Sequence, residues 1–240
     1  MEYKIVHIEE TDSTNRWLKA HGEGTMVVVA DYQTAGKGCG TNSWESERGK
    51  NLTFSMLIHP TDIPASQQFR ITEIVSVALC EVLEQYLSSR STLHAPLSIK
   101  WPNDIYVGDN KICGILIENR LQGAVIKDAI IGIGLNVNQQ RFVSDAPNPV
   151  SLCQLLGHEV DREALLHDIL RRFCDNLTHW ESLHDTYCAL LYRREGFHRY
   201  EDQNGILEAK LVTVTPNGRL VLEEHNGQQR SYAFKEVKFK

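Results

Sequence analysis

The chain has 240 residues, of which 42% are hydrophobic and 23% are charged, and its formal net charge is −6. A chain of this length buries a sizeable core, either as one large domain or as one domain with a small module. The acidic balance excludes an extended nucleic-acid surface, which needs clustered Lys and Arg, but it leaves room for a local basic pocket.

The sequence carries no targeting segment and no familiar metal motif. Residues 1–10 have neither a basic n-region nor a long apolar stretch, so they do not form a signal peptide. No run of roughly 18 apolar residues occurs, which excludes a transmembrane helix. The six cysteines form no C-x-x-C pair and the ten histidines no H-E-x-x-H motif. We predict a cytoplasmic protein with reduced thiols, and the sequence identifies no metal ligands.

The elements of the first half of the chain follow from capping residues and from the spacing of apolar residues. They are a helix that begins at the N-cap residues 12–15, a buried strand at 25–30, a loop at 31–43, a strand at 51–58 and a helix at 66–86. Short strands at 98–101, 105–107 and 112–117, with a turn at 108–110, predict a hairpin.

The second half contains a helical stretch and a region of different character. An apolar run at 124–138 precedes the helical stretch, which extends from Asp161 to about Leu191. Residues 195–240 carry 7 basic and 7 acidic residues, and their turns at 203–205, 216–218 and 226–227 are typical of a small β-barrel. The mixed order of earlier elements favours α+β over regular βαβ winding. We therefore predict two domains, 1–192 and 193–240.

Two polar segments have local features that fit a binding site. In the loop 33–40 (Q-T-A-G-K-G-C-G), the glycines let backbone N–H groups approach an anion and Lys37 adds charge, although a flexible connection is the alternative. The spacing fits neither a Walker A loop nor a dinucleotide fingerprint. In K-W-P-N-D at 100–104, Pro102 ends a strand, so Lys100 is predicted at a strand terminus facing a cleft. A surface Lys beside a turn is the alternative.

Two further segments place glycines inside strand-like runs. They are residues 111–118 (K-I-C-G-I-L-I-E) and residues 132–138 (G-I-G-L-N-V-N). A mid-strand glycine indicates close approach of something to the backbone, or packing alone. A buried Asn in the second segment needs hydrogen-bond partners, which a ligand base can supply.

Together these segments resemble the biotin–protein ligase (biotin–acetyl-CoA-carboxylase ligase) family. The matching positions are 12–15 (D-S-T-N), 33–36 (Q-T-A-G), Trp44, 51–52, 100–104, 114–116 (G-I-L), 134–136 (G-L-N) and the closing segment 232–237. They cover nearly the whole chain, and K-W-P-N-D is the most specific of them. The resemblance implies an α+β fold: a catalytic domain like that of class II aminoacyl-tRNA synthetases, followed by an SH3-like β-barrel. It implies the short form of the family, without an N-terminal DNA-binding domain.

The resemblance also implies a reaction. The enzyme would activate biotin with ATP to biotinyl-5′-AMP and transfer biotin to a lysine of a biotin carboxyl carrier domain. ATP and Mg²⁺ would be co-substrates, biotin the substrate, and no cofactor would be permanently bound. We expect a monomer or weak homodimer that binds neither nucleic acid nor membrane. The alternative is a lipoate–protein ligase-like acyltransferase, which shares the catalytic fold but lacks the K-W-P-N-D string.

The site residues that the resemblance implies form two groups around Lys100, the expected catalytic residue. The biotin-binding group is Ser13, Thr14, Asn15, Gln33, Gly36, Lys37, Gly38, Cys39, Lys100, Gly114 and Leu116. The nucleotide-binding group is Lys37, Trp44, Asn103 and Asn136. Asp104 is a candidate for the general base or for Mg²⁺, and turn formation explains it equally well.

One loop departs from the family pattern. Relatives often carry several arginines there, in a G-R-G-R-x-G-R-like pattern, whereas this chain has Lys37, Cys39, Thr41 and Asn42. A thiol cannot replace a guanidinium on a phosphate. We therefore expect the adenylate to be held less tightly than in Arg-rich relatives, and Lys100 to carry more of the charge stabilisation.

Overall fold

The structure is a computed structural model, and it describes residues 2–38, 40, 43–88, 95–143 and 148–240. A seven-stranded sheet forms the first part of the protein. Its strands are β1 (Lys4–Thr11), β2 (Met26–Gln33), β3 (Leu52–Ile58), β4 (Leu97–Lys100), β5 (Asp104–Val107), β6 (Asn110–Gln122) and β7 (Val125–Leu135). Their order in the sheet is β1-β2-β3-β7-β6-β5-β4. β1 and β2 pair in parallel, and the other neighbours pair antiparallel.

The helices cover this sheet. They are α1 (Thr14–His21), α2 (Arg70–Ser88), α3 (Leu152–Leu156), α4 (Arg162–Thr178) and α5 (Leu183–Ala189). The long helix α2 is central, because its apolar residues recur at helical spacing and are almost fully buried against the sheet, α4 and α5. Among the described residues, no helix is both long enough and apolar enough to cross a membrane.

The predicted helical stretch from Asp161 to about Leu191 is wrong in one respect, because it is two α-helices joined by a short 3-10 helix at Trp180–Ser182. Asp161 is the N-cap of α4, and its side chain accepts hydrogen bonds from the backbone N–H groups of Glu163 and Ala164. At the other end the Thr178 hydroxyl donates to the Asp175 carbonyl at 2.7 Å, and His179 leaves the helical region with φ −127°. A local side-chain bond of this kind competes with helix continuation, so the chain turns before α5.

A five-stranded antiparallel sheet forms the last part of the chain. Its strands are β8 (Phe197–Asp202), β9 (Gly205–Val214), β10 (Leu220–Glu224), β11 (Gln229–Tyr232) and β12 (Lys238–Phe239), in the order β11-β10-β9-β8-β12. All three predicted turns are present and have a glycine at positive φ. One apolar core includes buried residues of both parts, among them Tyr187 of α5 and Tyr200 of β8.

Some elements differ from the prediction. β2 continues to Gln33, so the predicted loop at 31–43 begins later, because Tyr32 and Gln33 still pair with β1. β1 itself and the short helix α3 were not predicted. β1 is half-exposed at the edge of the sheet and therefore lacks a strong apolar pattern. α3 begins with a capping box formed by Ser151 and Gln154, whose sequence signal is short.

Candidate active site

A cavity of about 990 Å³ brings most of the predicted site residues together. Those that line it are Ser13, Thr14, Asn15, Gln33, Lys37, Gly38, Trp44, Lys100, Asn103, Gly114, Leu116 and Asn136. Gly36 lies just behind the lining, where its carbonyl accepts a hydrogen bond from the Trp44 backbone N–H at 2.9 Å. Cys39, Thr41 and Asn42 lie outside the described residues.

One end of the cavity is a polar group at the start of α1. The backbone N–H and the hydroxyl of Thr14 both donate to Gln33 Oε1, at 2.8 Å and 3.1 Å. These bonds orient the amide so that its Nε2 has no hydrogen-bond partner among the described residues. This end of the cavity therefore offers a fixed N–H donor to a ligand carbonyl.

Asn15 connects the polar end of the cavity to the sheet by hydrogen bonds. Its Nδ2 donates to Glu118 Oε2 at 2.9 Å and to the Leu116 carbonyl at 3.4 Å, while its Oδ1 accepts from Ser55 at 2.6 Å. A Cβ atom at Gly132 would lie 2.3 Å from that Oδ1, so only glycine fits there. The polar atoms of Asn15 are thus directed at the protein, and they hold the N-terminus of α1 in place.

Ser55 is a residue of this site that the sequence reasoning missed. It is fully buried in β3, and its Oγ lies 2.7 Å from Thr14 Oγ1 and 2.6 Å from Asn15 Oδ1. It contacts both residues from behind and does not line the cavity. A small polar residue in a buried strand that also contains Thr53 is a weak signal, and no sequence pattern links Ser55 to α1.

Lys100 lies at the other end of the cavity, at the last position of β4, as predicted. The following Trp101-Pro102 peptide bond is cis. Trp101 is buried, and its Nε1 donates to the Gly218 carbonyl at 3.1 Å, which joins this segment to the turn between β9 and β10. Burial lowers the pKa of Lys100, and the charges of Arg193 and Lys111 act in the same direction.

The mid-strand glycines are explained by Trp44. Gly114 and Gly134 are directly opposite each other in β6 and β7, and the Trp44 indole lies on them. A Cβ atom would lie 2.3 Å from the indole at Gly134 and 3.0 Å at Gly114. The close approach predicted for these strands is therefore made by a side chain of the protein. Trp44 Nε1 is buried and has no partner among the described residues.

Lys111 is a second cation at this site that the sequence analysis did not assign. Its Nζ lies 2.7 Å from Asp104 Oδ2 and 5.7 Å from the Trp44 ring centroid. Asp104 is the backbone pairing partner of Lys100 in the β4–β5 register, and its carboxylate forms a salt bridge with Lys111. Four lysines therefore line the cavity: Lys37, Lys100, Lys111 and Lys238. The positive charge is therefore not restricted to Lys37 and Lys100.

Asn136 and Asn103 are both held by the backbone of neighbouring segments. Asn136 Nδ2 donates to the Val150 carbonyl at 3.1 Å, while its buried Oδ1 has no partner in the described part of the chain. Asn103 Nδ2 donates to the Ile115 carbonyl, and the Ile115 N–H donates back to the Asn103 carbonyl at 3.1 Å. Asn136 thus presents a free acceptor, whereas Asn103 fixes the turn against β6.

The arrangement suits an elongated ligand with a polar head and an anionic tail. A head group can bind at Thr14 and Gln33, and an anion can bind at Lys100. In the described ranges there is no cluster of three or more His, Cys, Asp or Glu residues placed to hold a metal ion.

Two known proteins are similar to this chain in sequence. The "Bifunctional ligase/repressor BirA" of Bacillus subtilis (strain 168) is 32% identical over 228 residues, which cover 88% of this chain and 65% of that protein. The "Biotin--[acetyl-CoA-carboxylase] ligase" of Paracoccus denitrificans is 30% identical over 187 residues, 75% of this chain and 74% of that protein. The chain thus spans about two thirds of the length of the Bacillus relative.

Solved structures of similar fold identify the architecture. The biotin protein ligase from Aquifex aeolicus in complex with biotin and ATP has a TM-score of 0.80 at 24% identity, with 99% of this chain and 98% of that chain covered. The fold is therefore that of biotin protein ligases, as predicted: an α+β catalytic part like that of class II aminoacyl-tRNA synthetases, followed by an SH3-like sheet. The model of the Biotin/lipoate A/B protein ligase family matches residues 7–136, more than half of the chain. The chain belongs to the biotin/lipoate A/B protein ligase family.

Proposed function

We propose that this protein is a biotin–protein ligase, which uses ATP to join biotin to a lysine of a biotin carboxyl carrier domain. The observation that carries the proposal is the cavity, which has a polar hydrogen-bonding end at Thr14 and Gln33 and a lysine cation at Lys100. The descriptions of the Bacillus, Paracoccus and Aquifex relatives support it, since they name ligase activity or biotin.

The polar end would bind the ureido group of biotin. The free Nε2 of Gln33 can donate to the ureido carbonyl, and the buried residues Ser13 and Thr14 complete the wall. The apolar floor at Gly114 and Leu116 would contact the aliphatic chain. The carboxylate would then lie toward Lys100, because the cavity is continuous between the two ends.

Adenylate formation would be the first chemical step. A carboxylate oxygen of biotin attacks the α-phosphorus of ATP, the bond to the β-phosphate oxygen breaks, and pyrophosphate leaves with its Mg²⁺. Because two anions must approach each other, the Lys100 ammonium lowers the barrier by offsetting their repulsion. Asn136 Oδ1 offers an acceptor for an amino group of the nucleotide base. Trp44, Lys37 and Asn103, which line the same cavity, would be the other neighbours of the nucleotide.

Transfer would be the second step. The ε-amine of the acceptor lysine attacks the acyl carbon of biotinyl-5′-AMP, the bond between that carbon and the phosphate oxygen breaks, and AMP leaves. The amine loses one proton as the amide forms. In both steps the protein acts mainly by positioning the reactants and by offsetting negative charge.

The function can be tested by mass spectrometry of a carrier domain after incubation with biotin and Mg·ATP. We expect the mass increase of one biotinyl group on a single lysine. A carrier domain with that lysine replaced by arginine, and lipoate in place of biotin, are the controls. Modification by lipoate and not by biotin would support the lipoate ligase alternative and contradict the proposal.

We also propose that the division into domains lies at 1–192 and 193–240. The last helix, α5, ends at Ala189 and the first strand of the second sheet begins at Phe197, which supports this boundary. The two parts contact each other at the site, where Trp101 of the first binds the Gly218 carbonyl of the second.

The decrease in the rate of adenylate formation at high pH should reflect the deprotonation of Lys100. Since burial lowers the pKa of Lys100, its ammonium loses its proton below the usual lysine range, and adenylate formation should fall as the pH rises through that lowered value. Lys100→Arg stays protonated and should move this decrease to higher pH. Pyrophosphate exchange measured across pH checks this. An identical decrease at high pH in both proteins would rule out Lys100 as the titrating group.

Ser55→Ala should weaken biotin binding without touching the ligand. The buried hydroxyl contacts Thr14 Oγ1 and donates to Asn15 Oδ1, and removing it leaves that buried acceptor without its donor, at a cost of about 1–3 kcal/mol. We expect the Kd of biotin, measured by calorimetry, to rise about tenfold. Ser231→Ala, a serine of the second sheet outside the cavity, is the control. An unchanged Kd in Ser55→Ala would show that this support is not needed.

The loop that contains Lys37 should release the adenylate quickly. It lacks the arginines of many relatives, although Lys111 and Lys238 add charge elsewhere in the cavity. We expect faster release of biotinyl-5′-AMP than from an Arg-rich relative in a filter-retention assay. Equal or slower release would contradict this expectation.

A further inference from the structure

The Lys100 ammonium lies among aromatic rings from three separate parts of the chain. Its Nζ lies 4.8 Å from the ring centroid of Tyr106, 5.9 Å from that of Tyr192 and 5.6 Å from that of Phe239. It also donates to the Tyr106 hydroxyl at 3.3 Å. Tyr106 is in β5, Tyr192 follows α5, and Phe239 is in β12, the last strand of the second sheet. The group therefore joins both parts of the protein.

The three rings hold one another in place. The ring centroids of Tyr106 and Tyr192 are 5.6 Å apart, and those of Tyr192 and Phe239 are 6.2 Å apart. Phe239 packs edge-on against the buried Tyr200 at 5.1 Å. The Tyr192 hydroxyl lies 2.6 Å from Asp109 Oδ1 and donates to it. A lysine surrounded by such mutually packed rings has fewer positions open to it than a free surface lysine.

Aromatic rings suit this position better than a carboxylate would. The negative face of a ring attracts an ammonium within about 6 Å of its centroid. It does so without adding a formal negative charge, which would repel the carboxylate and phosphate of the reactants. It also leaves N–H donors of the ammonium free for those anions. A cation that is placed before the reactants arrive stabilises the transition state without reorganisation.

We propose that Tyr106, Tyr192 and Phe239 form an aromatic cage that positions the Lys100 ammonium for adenylate formation, so that the last strand of the second sheet contributes to the chemical step. This inference rests on the proposed biotin–protein ligase function. The cage residues act through Lys100 and are positioning residues. Phe239 is the most informative of them, because it has no hydroxyl whose hydrogen bonds would complicate a substitution.

The charged groups near Lys100 stay constant when a ring is fluorinated. They are Asp104, Arg193, Lys111 and Asp109, while burial is the main cause of the lowered pKa of Lys100. Fluorine atoms on a ring weaken its negative face and change its size little. Any further fall in the pKa of Lys100 would therefore come from the loss of ring attraction.

The experiment replaces Phe239 in the full chain with mono-, di- and trifluorinated phenylalanine. Two quantities are measured: the pKa of Lys100, from the titration of its ¹³Cε signal in [¹³C]lysine-labelled protein, and the rates of biotin-dependent pyrophosphate exchange. Lys100→Arg assigns the signal. The matched control is fluorination of Phe197, a phenylalanine of the same sheet that stacks on His225 and does not line the cavity.

We expect the pKa of Lys100 to fall stepwise with each fluorine at Phe239. The kcat of exchange should fall about two- to fivefold at three fluorines, while the KM values for biotin and ATP stay the same. An unchanged pKa and kcat would overturn the cage, and so would an equal change on fluorination of Phe197. If the unmodified protein shows no biotin-dependent exchange, the proposed function is wrong, and the titration still decides whether the rings stabilise the ammonium.

Discussion

Lys100→Ala is expected to slow biotin-dependent adenylate formation by about 10²- to 10³-fold, the loss that follows removal of one preorganised donor at a reacting oxyanion. Lys100 lies at the end of β4 and lines the cavity, so its ammonium is the group placed to offset the charges of carboxylate and phosphate. The substitution removes the contacts of the ammonium with Tyr106, Tyr192 and Phe239, but these rings still pack on one another. We therefore expect a folded protein whose midpoint of thermal unfolding changes little compared with the loss of activity.

Pyrophosphate exchange measures the effect of this substitution directly. Lys127→Ala is the matched control, because Lys127 is an exposed lysine of β7 outside the cavity. Exchange in Lys100→Ala close to that of the unmodified protein would contradict the catalytic assignment. A large loss in both variants would point to a general effect of lowered positive charge.

Gly132→Ala is expected to raise the Kd of biotin by about ten- to 100-fold, although residue 132 presents no side chain to the ligand. The added Cβ would lie 2.3 Å from Asn15 Oδ1, and the Asn15 amide is already fixed by Glu118 and Ser55. The start of α1 must shift, and Thr14 shifts with it. Overpacking of this kind costs about 1–3 kcal/mol, and each 1.4 kcal/mol corresponds to about tenfold in affinity.

Two comparisons separate this effect from general destabilisation. At Gly123, a turn glycine with φ +61° and open space around it, alanine strains the backbone without contacting α1, so the Kd of biotin should stay the same. In the double variant Asn15→Ala with Gly132→Ala the steric clash is absent. Its Kd should therefore equal that of Asn15→Ala alone. A further tenfold loss in the double variant would show that the clash with Asn15 is not the cause.

The segments that could be predicted from the sequence are those whose signal is local. Pro102 interrupts a strand, so Lys100 was correctly predicted at its end. The turns of the second sheet were also correct, because glycines at positive φ mark them within a few residues. Phe239 had no such local signal, since its role depends on Lys100, which is 139 residues away in the sequence (239 − 100).

The sequence by itself determined most of the elements, the family resemblance and twelve of the residues that line the cavity. The tertiary structure decided how those residues act. Gly114 and Gly134 form one flat surface because the register of β6 with β7 places them opposite each other, and Trp44 then lies on both. Lys111, Ser55 and the rings around Lys100 are likewise defined by contacts between distant segments. Pairing register and side-chain packing depend on the whole fold, and periodicity within one segment carries no information about them.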